Sequence, residues 1–96
     1  MRVVLDLSAA GSAEELHRRI AEALSFPAWY GGNLDALHDC LTELAAPVEL
    51  VFCHKAALDG LLGRRADAFR RVTEDSAAEN PLLTVRWEDD FTDGSN

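Results

Sequence analysis

The run Val48-Glu-Leu-Val-Phe-Cys53 constrains this chain more than any other stretch, because it is apolar throughout except at Glu49. A strand with so little polar alternation needs cover on both faces, the situation of a central strand in a parallel sheet. Two weaker runs, Val3 to Leu7 near the start and Leu82 to Trp87 near the end, read as further strands. The segments between them have a helical rhythm.

Ser12-Ala-Glu-Glu15 fits a capping box, and Leu16, Ile20, Ala23 and Leu24 follow at helical spacing. This predicts a helix over 13–24 whose exposed side carries His17, Arg18 and Glu22, ended by Phe26-Pro27 because the residue before proline is pushed out of helical geometry. A second helix starts after Asn33, a good N-cap, and stops at Ala45-Ala46-Pro47. A short helical piece with Leu58, Leu61 and Leu62 closes at Gly63. A longer helix spans Arg65 to Ala78, with Ala66, Phe69 and Val72 or Thr73 inward, until Asn80-Pro81 breaks it. Strands separated by helices pair in parallel through crossovers, so the expected fold is α/β: a three-stranded parallel sheet with helices packed around it. One domain should occupy residues 1–88, and 89–96 has the composition of an acidic, disordered tail.

The second helix carries the chemistry. Leu34, Leu37, Leu41 and Leu44 lay one apolar stripe against a core, and at about 100° per residue Asp35, His38, Asp39, Thr42 and Glu43 fall on the opposite face. No Lys or Arg occurs from Ile20 through His54. Like charges one turn apart weaken a helix by a few tenths of a kcal/mol, and only Asp35 lies in the first turn, where the helix dipole favours an anion. The plain alternative is an ordinary solvated face. Just upstream stand Trp29, Tyr30, Gly31 and Gly32, where the aromatics make either a rim for a binding surface or plugs for the core, and the glycines permit a tight loop.

Net charge is −8, with 17 acids against 9 bases, which argues against a nucleic-acid binder. Half of the imbalance sits in Glu88, Asp89, Asp90 and Asp93; much of the rest surrounds the second helix, while Lys55, Arg64, Arg65, Arg70 and Arg71 make the following segment basic. Such polarity suits a partner with a basic cleft. The apolar run at the start is too short for a signal peptide and nothing approaches the ~20 apolar residues of a membrane helix, so no membrane partner and a cytoplasmic location are expected. Cys40 and Cys53 have no framework spacing and read as thiols, with a single disulfide as the alternative.

Rival chemistries lack geometry. His38 and Cys40 point about 200° apart on a helix, and Cys53 and His54 alternate across a strand, so neither pair converges on a metal. Asp35, His38 and Asp39 have no nucleophile elbow beside them, and a convex helix face does not exclude water. Tyr30-Gly-Gly-Asn33 lacks the Lys-Ser/Thr of a phosphate loop. No cofactor and no catalytic residue are expected.

The run Tyr30-Gly31, Asn33-Leu-Asp-Ala-Leu37 and Asp39-Cys-Leu-Thr42 resembles the signature of the barstar family of intracellular ribonuclease inhibitors, without a gap. The resemblance implies the same α/β architecture and a one-to-one complex, from a free monomer, with a small basic ribonuclease or related nuclease toxin. It implies that the acidic helix and its preceding loop enter the partner's active site in place of RNA phosphates. Trp29 then stands where a tyrosine packs on a catalytic histidine, Asn33 meets partner backbone, and Asp35 and Asp39 face partner Arg and Lys groups. Three departures are visible: His38 replaces a large aromatic, Glu43 and Leu44 replace a glycine and a tryptophan of the best-known member, and Arg71 aligns with an acid for which Glu74 or Asp75 could substitute. An acidic binding module, or an antitoxin against a toxin that is not a ribonuclease, remains the other reading.

Overall fold

The computed structural model describes residues 1–89. Strand β1 (Arg2–Asp6) is followed by a 3-10 turn at Leu7–Ala9 and by helix α1 (Ala13–Leu24). Helix α2 (Leu34–Thr42) leads to β2 (Val48–Cys53), then α3 (Ala57–Leu62), α4 (Ala66–Glu79) and β3 (Leu83–Trp87). The three strands form one parallel sheet in the order β1-β2-β3, with Leu5, Phe52 and Trp87 in one cross-strand row. β2 lies in the middle, and all of its residues except Glu49 are buried, as its composition requires.

The core joins the sheet to the helices through Leu16, Ile20, Leu37, Leu41, Leu50, Phe52, Leu58 and Phe69, each almost wholly buried. Phe69 of α4 meets Phe52 edge-on at 5.7 Å between ring centroids and Trp87 at 6.4 Å, while Phe52 and Trp87 stack at 4.5 Å. Aromatic pairs at these separations add about 0.5–1.5 kcal/mol beyond the area they bury.

Element ends follow local hydrogen bonding. Ser12 accepts from the Glu15 amide at 3.1 Å, and Glu15 reaches back to the Gly11 amide, completing the capping device one residue further out than the simplest form. α1 ends with Ser25 in the left-handed region at φ 55°. β1 ends at Asp6, not Leu7, because the Asp6 carboxylate accepts from the Ser8 amide at 2.9 Å and turns the chain. β3 begins at Leu83, not Leu82, because Asn80 Oδ1 accepts from the Leu82 amide at 3.0 Å.

One expectation fails. His17 does not lie on an exposed side of α1; it is 8% exposed. The loop before α2 folds over that flank, with Gly32 at φ 71° and its hypothetical Cβ 3.7 Å from His17 Cβ, while Phe69 closes the other side at 6.1 Å. Arg18 and Glu22 stay exposed. Cys40 and Cys53 are buried free thiols. Of the tail expected over 89–96, all but Asp89 lies outside the described residues.

Candidate functional site

The loop entering α2 separates its two aromatics. Trp29 is 59% exposed, a bare indole at the edge of the surface. Tyr30 turns inward, packs edge-on against Phe26 at 5.0 Å and shares a hydrogen bond with His17 Nδ1. Burial pushes the Tyr30 phenol well above its ordinary value and the His17 imidazole below its own, so both stay neutral. The same burial makes Trp29 the rim and Tyr30 the plug that fixes the loop under it.

Asn33 starts α2 as its composition predicts: Oδ1 accepts from the Ala36 amide at 2.8 Å, and the side-chain NH2 stays available to a partner. Gly31 sits close above it, since a Cβ there would come to 3.2 Å from Asn33 Nδ2. Replacing Asn33 by alanine is expected to lower stability by about 1 kcal/mol, read as a shift in urea midpoint with unchanged slope.

Ala36, Leu37, Cys40 and Leu41 anchor α2 in the core, and burial pushes the Cys40 thiol up, away from reactivity. Asp35, Asp39 and Glu43 then point outward at successive turns. Among the described residues none of the three lies within 4 Å of a Lys or Arg nitrogen, and the Asp39 side chain is 64% exposed. Thr42 donates its hydroxyl proton to the His38 carbonyl at 2.8 Å, with the Asp39 carbonyl at 3.1 Å. Glu43 occupies the C-cap, where the helix dipole disfavours an anion.

Helix α4 packs beside α2 and supplies two residues not singled out from the sequence as part of the site. Glu79 Oε2 contacts His38 Nε2 at 2.5 Å, joining the two helices across the surface. Asn80, buried, donates from its side-chain NH2 to the carbonyls of Leu41 at 3.0 Å and Leu44 at 3.2 Å, closing the C-terminal end of α2. Asp75, one of the two acids considered as substitutes at Arg71, acts on His38 through its charge. His38 is held above its ordinary value of 6.5 by the Glu79 hydrogen bond first, then by the charges of Glu79, Asp39 and Asp75.

The two histidines therefore act on stability in opposite directions. His17, lowered by burial, contributes fully above its ordinary 6.5 and loses that contribution as pH falls toward its folded value. His38, raised by Glu79, contributes fully below 6.5 and loses it as pH rises through its folded value. Unfolding titrations from about pH 5 to 9 should show the alkaline-side loss disappear in His38→Gln and the acid-side loss persist.

A family model described as "Barstar (barnase inhibitor)" matches residues 1–89. The chain belongs to the barstar family. It is similar to "Putative ribonuclease inhibitor YrdF" of Bacillus subtilis (strain 168), 34% identical over 79 residues, which cover 81% of this chain and 87% of that protein. In this barstar-family chain Trp29, Gly31, Asn33, Asp35, Asp39 and Glu43 are exposed and His38 and Thr42 half-buried on α2 and its entry loop, whereas Tyr30 packs against the core. Arg71 is exposed and forms no ion pair within 4 Å among the described residues. Among those residues, no helix is long and apolar enough to cross a membrane, and no three His, Cys, Asp or Glu side chains gather as a metal site would require.

Proposed function

We propose that this barstar-family protein is a cytoplasmic, one-to-one inhibitor of a small basic ribonuclease, and that it blocks the ribonuclease's active site with α2 and the Trp29–Asn33 loop. The observation that carries the reading is the row Asp35, Asp39 and Glu43, unpaired with any Lys or Arg among the described residues and set on a helix whose other face is locked in the core. Carboxylates at one-turn spacing present acceptor oxygens to Arg and Lys groups that otherwise hold RNA phosphates, and such charge-assisted pairs are strong once desolvated. Trp29 offers a flat face for a partner ring, Asn33 Nδ2 a donor for partner backbone, and Thr42 and Glu43 further acceptors at the far end. Tyr30 contributes by holding the loop.

Glu43 and Arg71 favour a target differing from the one its best-known relatives bind, since one adds an acid and the other adds a cation at the margin of the surface. For the same reason the second reading, an antitoxin or acidic module for a basic protein that is not a ribonuclease, shares this surface. Association rates separate them. Mixed with small guanyl-specific ribonucleases, the protein should form a one-to-one complex whose on-rate falls by roughly tenfold or more as salt rises from about 50 to 500 mM, because screening removes electrostatic steering. Weak, salt-insensitive association with every ribonuclease would count against this function.

A further inference from the structure

The acidic surface contains one side chain that changes charge near neutral pH. His38 sits inside it. Asp39 Oδ1 lies 3.9 Å from His38 Nδ1, and Asp35 stands one turn earlier on the same helix. From α4, Glu79 contacts Nε2 at 2.5 Å, and Asp75 stands one turn before Glu79. Arg71, one turn before Asp75, forms no ion pair within 4 Å with any of these carboxylates. Asp39 and Glu79 thus contact one imidazole and Asp75 acts on it through its charge, and among the described residues no Lys or Arg lies within 4 Å of these acids or of Asp35.

We propose that His38, clasped to Glu79 across α2 and α4, makes partner binding proton-linked: a basic partner binds this surface more tightly once His38 has given up its proton. The inference rests on the ribonuclease reading and adds a control to the same site. With His38 protonated, the clasp is an internal ion pair that occupies Glu79 and places a cation beside Asp39, where a partner's Arg or Lys must arrive. Deprotonation leaves Asp39, Asp75 and Glu79 without that competitor. The contact itself can survive, because a neutral imidazole carrying its proton on Nε2 still donates to Glu79. The device is therefore one of charge, with no rearrangement of the helices required.

The direction follows from linkage. A partner's positive cleft disfavours the imidazolium, so complex formation expels a proton from protein that carried one, and affinity rises with pH until the free protein has lost it. One coupled group gives at most about a tenfold gain in affinity per pH unit. The rise ends at the free protein's own midpoint, which lies above the ordinary 6.5 because Glu79 holds the proton on.

Two measurements test this together. In the free protein, ring-proton NMR of His38 from pH 5 to 9 should give a midpoint above 6.5 that falls toward 6.5 in Glu79→Gln. In binding, affinities for a panel of small basic ribonucleases that includes barnase are measured from about pH 5.5 to 8.5, for the parent and for His38→Gln. The comparison cancels the ribonuclease's own titrating groups. The parent should gain up to about tenfold per pH unit over the variant, with proton release approaching one per complex. A His38 midpoint indifferent to Glu79→Gln, or parallel pH profiles for parent and His38→Gln, would overturn the inference while inhibition stood. No binding to any ribonuclease at any pH would remove the functional reading, and this inference with it.

Discussion

Asp39→Ala is expected to weaken the complex with a target ribonuclease by about 2–5 kcal/mol, roughly 30-fold to several thousand-fold in Kd, a range to which the barnase–barstar pair itself contributes. At a pH where His38 is neutral, the same substitution should leave the free protein as stable as before or more so. Asp39 is exposed, has no Lys or Arg partner among the described residues, and lies in mid-helix between Asp35 and Glu43. Alanine there relieves like-charge repulsion of a few tenths of a kcal/mol and improves helix propensity by about 0.5 kcal/mol. Loss of binding with gain of stability is the mark of a side chain kept for a partner. Urea unfolding beside a binding isotherm reads both quantities. A variant that binds as well as the parent would remove Asp39 from the site, and one that loses stability would make it a structural residue.

Phe69→Ala should be the most damaging change to the fold, costing about 3–5 kcal/mol. The ring is fully buried and joins α4 to the sheet at Phe52 and Trp87, and to α1 at His17. Removing it leaves a cavity where three elements meet. A domain of this size has only about 5–14 kcal/mol in total, so the variant stands close to unfolding at physiological temperature. Phe69→Leu, which retains more of the volume but loses the ring contacts with Phe52 and Trp87, should cost distinctly less than Phe69→Ala. Denaturant midpoints distinguish the two; equal, small shifts for both would show that this junction does not hold the fold together.

Much of this molecule is legible along the chain because its signals are local. The leucine stripe of α2, the Asn33 cap, the capping device at Ser12 and the apolar run of β2 each depend on neighbours within a few residues, and the element ends fall within one or two residues of expectation. His17 was misplaced for the opposite reason. At about 100° per residue His17 lies about 20° from Leu24 and about 60° from Ile20, at the border of the apolar stripe, and a helical wheel does not show that the tyrosine thirteen residues later turns back onto it. The same fold-back decides which of Trp29 and Tyr30 is rim and which is plug, a choice their sequence leaves open. Glu79 and Asn80 reach partners 41 and 39 residues away, so their roles exist only once α4 lies beside α2. An asparagine before a proline reads as the end of a helix. Here it also closes the end of another.

The measurement that bears most directly on the central claim is RNA cleavage by small guanyl-specific ribonucleases titrated with the purified, folded protein. The account predicts that for at least one of them activity falls linearly to zero at one equivalent, and that Asp39→Ala abolishes the break. Undiminished cleavage by every ribonuclease at several equivalents would contradict it and assign the acidic face of α2 to a partner of another kind.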